Sequence, residues 1–266
     1  SDLNKTEEEI NTEMLLQTSF NGKQFSIPSP VRTTLLLKEV EAPYAPDLLI
    51  MAPDVEKQTD EISQALYLGV LAADLGYTSF YNDNTRIVKY LLAVEKLAAK
   101  LGLDREFNKE FIKRYEANIS KSDSLVQLST EAFKQTDYYL KNSDRYESSL
   151  MILVGGWIET IHFASNLALT SDKAELIQRI GEQKQTLQTI MSILSDIDME
   201  KKNPALVTAF NNLDATYQNV AMHYTYSEPS IDIENQITTL NHTISFDVTE
   251  KNLNDIKTKI TVIRNL

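Results

Sequence analysis

The 266-residue sequence has no cysteine, only three histidines, one tryptophan, and seven each of glycine and proline. Without cysteine there is no disulfide, no thiol nucleophile and no thiolate metal site, although this leaves the cellular compartment open. Three histidines are too few for a histidine-rich metal centre. No Lys/Arg stripe offsets a formal net charge of −12, which repels nucleic-acid phosphate and argues against a DNA or RNA partner. Apolar runs are also short. The longest, Leu150 to Trp157, continues into Glu159 and His162 and falls below the roughly 20 residues a membrane-spanning helix needs, so no bilayer span is expected.

The sequence is otherwise that of a folded chain: 42% of residues are hydrophobic and 24% charged, with 12 Tyr and 9 Phe for burial. Five of the seven prolines fall between Pro28 and Pro53, and none lies between Pro53 and Pro204. A proline-free centre suits long helices, because proline lacks the amide donor and clashes with the preceding turn.

The expected architecture is an all-α antiparallel bundle of about seven to nine helices. Residues 1–27 open with an acidic cluster and carry no sustained period, so they read as a tether and docking segment, with order starting near Phe20. Residues 28–266 read as a single helical domain. Ser29-Pro30 has the form of a cap and first-turn proline for a short helix with Val31, Leu35 and Val40 inside, followed by an irregular loop over 42–54. Helices are expected over 54–81, 84–101 (stopped by Gly102), 104–120, 122–141, 144–170, 171–197 and 204–224. A further helix through Ile233, Ile237, Leu240 and Ile244, a short extended piece, and a last helix opened by an Asp247/Glu250 capping box complete the chain.

Two helices carry polar residues inside apolar surroundings. Within LYLGVLAADLGYTSFY (66–81), Tyr67, Asp74, Thr78 and Tyr81 share a face with Leu71, and the small residues Ala65, Gly69, Ala72 and Gly76 form a second stripe that invites close packing. Within LVGGWIETIHFASNLA (153–168), Glu159, His162 and Asn166 form a polar line from Gly155. A buried acid needs partners. Both helices are therefore expected to be central, their polar lines facing one another or lining one cavity.

Glu159 and His162 also have the Glu-x-x-His spacing of ferritin-like di-metal bundles, but those sites need two such pairs and two further glutamates, and neither His223 nor His242 has a Glu three residues before it. A satisfied polar network between packed helices accounts for the pattern more simply. There is no Gly-x-Ser-x-Gly elbow, phosphate-binding glycine loop or His-Glu-x-x-His motif. No catalytic residue, metal-ligand set or cofactor is assigned from the sequence. Tyr67, Asp74, Thr78, Tyr81, Glu159, His162 and Asn166 stand as ligand-binding candidates.

Through the stretches SPVRTTLLLKEVEAPYAPDLL (29–49), ALYLGVLAADLGYTSF (65–80), KYLLAVEKLAAKLGL (89–103) and LVGGWIETIHFASNLA (153–168), the chain from Ser29 onward resembles a group of uncharacterised helical lipoproteins from Bacteroidetes. The resemblance implies export, with a signal peptide removed and a lipid attached at a cysteine upstream of Ser1. The acidic start would then be the tether, and the site the outer membrane or periplasm. It brings no functional residues. The resulting expectation is a helical protein held to the membrane only by a lipid anchor, binding an envelope protein or a small molecule. A metal-dependent or acid/base enzyme using Asp74, Glu159 and His162, or a structural assembly protein, are the alternatives.

Overall fold

The computed structural model describes residues 15–20, 23–28, 37, 40–170, 174–232, 237–239 and 243–266. Among them are nine α-helices: α1 (Glu61–Phe80), α2 (Asn84–Lys100), α3 (Lys109–Ala117), α4 (Ser122–Asn142), α5 (Tyr146–Ala168), α6 (Ala174–Asp196), α7 (Met199–Lys202), α8 (Pro204–Tyr217) and α9 (Glu250–Arg264). The fold is a multi-helix bundle of the all-α class, as the proline distribution implies.

Caps place the helix starts. The side chain of Asp60 accepts from Ser63 N at 2.9 Å, Asp83 from Arg86 N at 3.1 Å, and Asn203 from Leu206 N at 3.0 Å ahead of Pro204. Asn108 accepts from Glu110 N and Phe111 N, both at 2.9 Å, so α3 starts there rather than at Asp104. Gly102, with φ +69°, closes α2 as expected. Asn82, Asp144 and Asp198 also have positive φ and make the chain reversals between helices; Asp144 is therefore a turn residue, and α5 starts at Tyr146. The capping box of α9 is Thr249 with Asn252, not Asp247 with Glu250: Thr249 Oγ1 accepts from Asn252 N at 3.1 Å and Asn252 Oδ1 accepts from Thr249 N at 3.0 Å.

α1 and α5 form the centre. Every residue of α1 from Leu68 to Phe80, and all of α5 from Ser148 to Ser165, is buried. α2 and α4 pack on α1, and α4, α6 and α9 pack on α5, with α8 resting on α6 and α9. The small-residue stripe does what its spacing implies. A Cβ built on Gly69 would lie 1.9 Å from the Ile152 carbonyl oxygen. α5 is long and apolar enough to cross a membrane by length and composition, but 94% of its most apolar window is buried against other helices, so its hydropathy is that of a core helix.

Three two-stranded antiparallel ladders accompany the helices. β1 (Leu15–Phe20) pairs with β2 (Lys23–Pro28), and β2 lies against α5 and α6. The first described residue, Leu15, is already in a strand, ahead of the expected Phe20. Residues 1–14, and most of the short helix expected after Ser29, lie outside them; of its inner face Val40 is described, and it is buried.

The C-terminal third departs furthest from expectation. The helix begun at Pro204 ends at Tyr217, and after a turn over 218–220 the chain runs as β3 (Ala221–Thr225), paired with β6 (Thr243–Asp247). In place of the helix through Ile237 and Ile244, β4 (Ser230–Asp232) pairs with β5 (Ile237–Thr239). The run of β-branched residues fits a strand as well as a helix, and the distant partner β3 decides. Gln178 of α6 fastens this ribbon, its amide donating to Phe246 O and accepting from Phe246 N, both at 2.8 Å. Phe246 sits over Gly181, where a Cβ would come within 2.4 Å of its own Cβ.

Candidate functional site

Asp74 and Glu159 come together in the centre of the bundle, both fully buried. Arg264, in the last turn of α9, pairs with Glu159. Its Nε donates to Glu159 Oε2 at 2.5 Å and its Nη2 to Oε1 at 2.6 Å, a two-pronged guanidinium–carboxylate pair. Nη2 also donates to Leu48 O at 3.1 Å. Asp74 makes no ion pair with the guanidinium and senses it only as a nearby charge. Burial, and next the neighbouring Glu159, push the Asp74 carboxyl well above the usual carboxylate range, so that it keeps its proton. Asp74 Oδ2 accepts from Ile50 N at 3.3 Å, while Oδ1 has no acceptor role among the described residues. Protonated, Asp74 offers that oxygen as a donor to the Glu159 carboxylate, and the cluster is then electrically neutral.

The 42–58 segment is strapped over this cluster by side chains from α1, α2 and α9. Tyr77 Oη accepts from Ala45 N at 3.0 Å, Tyr90 donates to Ile50 O at 2.7 Å, Tyr81 donates to Ala42 O, and Lys100 donates to Val55 O at 2.9 Å. Tyr44 of the strap returns the contact by donating to Asp83 at 2.6 Å and stacking on Tyr81 at 4.9 Å.

The other candidates divide between these two features. Thr78 donates back to Asp74 O at 2.9 Å and Leu75 O at 3.0 Å, within its own helix, and Tyr81 serves the strap, so neither belongs with the acids. His162 lies beside Glu159 and is 7% exposed; burial lowers its pKa and keeps the imidazole neutral. Asn166 donates to His162 O at 2.7 Å, one turn further along. Tyr67 is half-buried, its phenol pushed up by burial, and opens toward solvent.

Tyr67 marks a cavity of about 390 Å³ between α1, α5, α8 and α9. Its bed is apolar, formed by Leu66, Val70, Ile158, Leu206 and Ile263, and Arg264 and Lys202 stand on its wall. This volume is within the range of small-molecule sites, about 300–1,000 Å³. Among the described residues no group of three or more His, Asp or Glu side chains is placed to hold a metal. Both oxygens of Glu159 accept from Arg264, and neither Glu159 nor Asp74 is among the residues that line the cavity.

Sequence reasoning missed Arg264, Lys202 and the cavity they line. A signal for Arg264 exists: it follows Ile260 by four residues, on the stripe of Leu253, Ile256, Ile260 and Ile263, and an arginine on the apolar face of a helix requires a buried acid.

Comparison with family models, with curated proteins and with solved structures finds no match to this chain. The fold and site define a helical bundle with a buried Asp–Glu–Arg cluster beside an open cavity.

Proposed function

We propose that this chain is a non-enzymatic binding domain of the bacterial cell envelope that takes a small molecule in the cavity between α1, α5, α8 and α9. The observation that carries the reading is the division of labour at Arg264. The Glu159–Arg264 pair braces the bundle, while the cavity beside it has an apolar bed and a few polar groups, the composition of a ligand site. Envelope location and a lipid anchor upstream of Ser1 rest on the resemblance alone. Native mass spectrometry of protein purified from its source cells tests the binding, with a co-purifying small molecule as the expected result. Detergent-phase partitioning of the full-length protein tests the anchor, and recovery only in the aqueous phase would reject it.

A second reading, docking to an envelope protein, is favoured by the ribbon. Met222, Tyr224 and Ile244 alternate onto one face of β3 and β6 and are 52%, 57% and 44% exposed. Cross-linking in intact cells from position 224 distinguishes it by trapping a defined protein.

A further inference from the structure

We propose that the cavity is built for a single-chain amphiphile with a carboxylate head, the chain lying on the apolar bed and the head at Arg264 and Lys202; this rests on the binding reading above. The bed is of the right chemistry for an alkyl chain: the partly exposed Ile62, Leu66 and Tyr67 offer it hydrocarbon surface, and the buried Val70, Ile158, Leu206 and Ile263 complete the apolar lining. Arg264 and Lys202 line the cavity, whereas the acids that balance them, Glu159 and Glu147, do not.

Arg264 is pre-aimed for this role. Its Nε and Nη2 are committed to Glu159 and Leu48, which locks the guanidinium plane, while Nη1 has no partner among the described residues and is not fully buried. Arg264 lines the cavity, so a guanidinium with donors to spare stands there on a group that cannot swing away, and a carboxylate is its natural acceptor. Lys202 keeps ammonium donors beyond the one given to Glu147. The first turns of α1 and α8 reach the same cavity through Ser63 and Asn203, and their N-terminal partial positive charge adds to the potential. Among the lining side chains the acidic one is Asp60, whose Oδ1 accepts from Ser63 N and Oδ2 from Ser63 Oγ, which ties it to the α1 cap. A cationic head would face Arg264 and Lys202 unpaired, and a neutral head such as a hydroxyl would accept from Nη1 without the gain of a charge-assisted bond.

Isothermal titration of the folded chain with dodecanoate, dodecanol and dodecyltrimethylammonium, all below their micelle-forming concentrations, tests the assignment. Dodecanoate is expected to bind about tenfold or more tightly than dodecanol, and the ammonium compound least. Lys202→Gln, whose ion pair is exposed, should weaken dodecanoate about three- to tenfold while leaving dodecanol unchanged. Ile62→Trp, which fills the cavity from a half-buried position, should abolish binding of both with the melting temperature retained. Equal binding of all three amphiphiles, or indifference of dodecanoate to Lys202→Gln, overturns the carboxylate assignment but leaves the binding reading standing if Ile62→Trp still abolishes binding. No binding by any of them overturns the amphiphile assignment, and a protein that also carries no co-purified molecule loses the binding reading with it.

Discussion

Gly69 and Gly155 are reciprocal: a Cβ at the first would lie 1.9 Å from the Ile152 carbonyl oxygen of α5, and a Cβ at the second 1.9 Å from the Leu66 carbonyl oxygen of α1. The two central helices touch backbone to backbone there, one turn or so from the acids they bring together. Backbone cannot yield as a side-chain tip can. Gly69→Ala and Gly155→Ala should each destabilise by at least about 2 kcal/mol, with the double variant costing less than the sum because the first substitution already parts the helices. Chemical denaturation of the three variants measures both effects.

Arg264→Met should cost about 3–5 kcal/mol, since it leaves Glu159 charged and fully buried with no cation. Adding Glu159→Gln to it should recover most of that loss. A double variant no more stable than the single would mean that the pair matters through packing instead of charge.

Asp74 sets a pH dependence of definite sign. The folded chain keeps the Asp74 proton above the usual carboxylate range while the unfolded chain releases it near pH 4, so this group makes stability fall as pH rises from about 4 toward the folded value. His162 works the other way: its lowered pKa means that the unfolded chain takes up a proton first, and stability falls as pH drops below about 6.5. Asp74→Asn should flatten the alkaline decline and leave the protein at least as stable at pH 8, with Glu159, Arg264 and His162 still in place around it. Melting temperatures from pH 4 to 9 read both slopes.

Tyr90→Phe removes a hydroxyl that donates to Ile50 O at 2.7 Å and should cost about 1 kcal/mol. Its effect is expected to be local. Faster amide hydrogen exchange over residues 44–52, with unchanged protection in α1 and α5, would show that the strap opens separately from the bundle.

The helical half of this protein is legible because its signals are local. Asp60, Asp83, Asn108, Asn203 and Thr249 satisfy amides two or three residues away, and Gly102 stops α2 by its own backbone freedom. Asp74 and Glu159 are legible as a buried pair for the same reason, each being an acid inside an apolar helix whose small residues foretell a close neighbour. The strand ribbons are not, since β3 and β6 are defined by one another across intervening chain, and the isoleucines there fit both periods.

The order of residues by itself determines that α1 and α5 are central, that they approach through glycine, and that two acids must find company in the interior. Only the tertiary structure decides which company. Arg264 reaches Glu159 from 105 positions away. The strap over 42–58, the cavity at Tyr67, and the separation of Thr78 and Tyr81 from the acids likewise depend on where α9 and the strap come to rest. A helix cap is settled within one turn of chain, whereas the partner of a buried charge is settled by burial itself, which exists only once the whole core has closed.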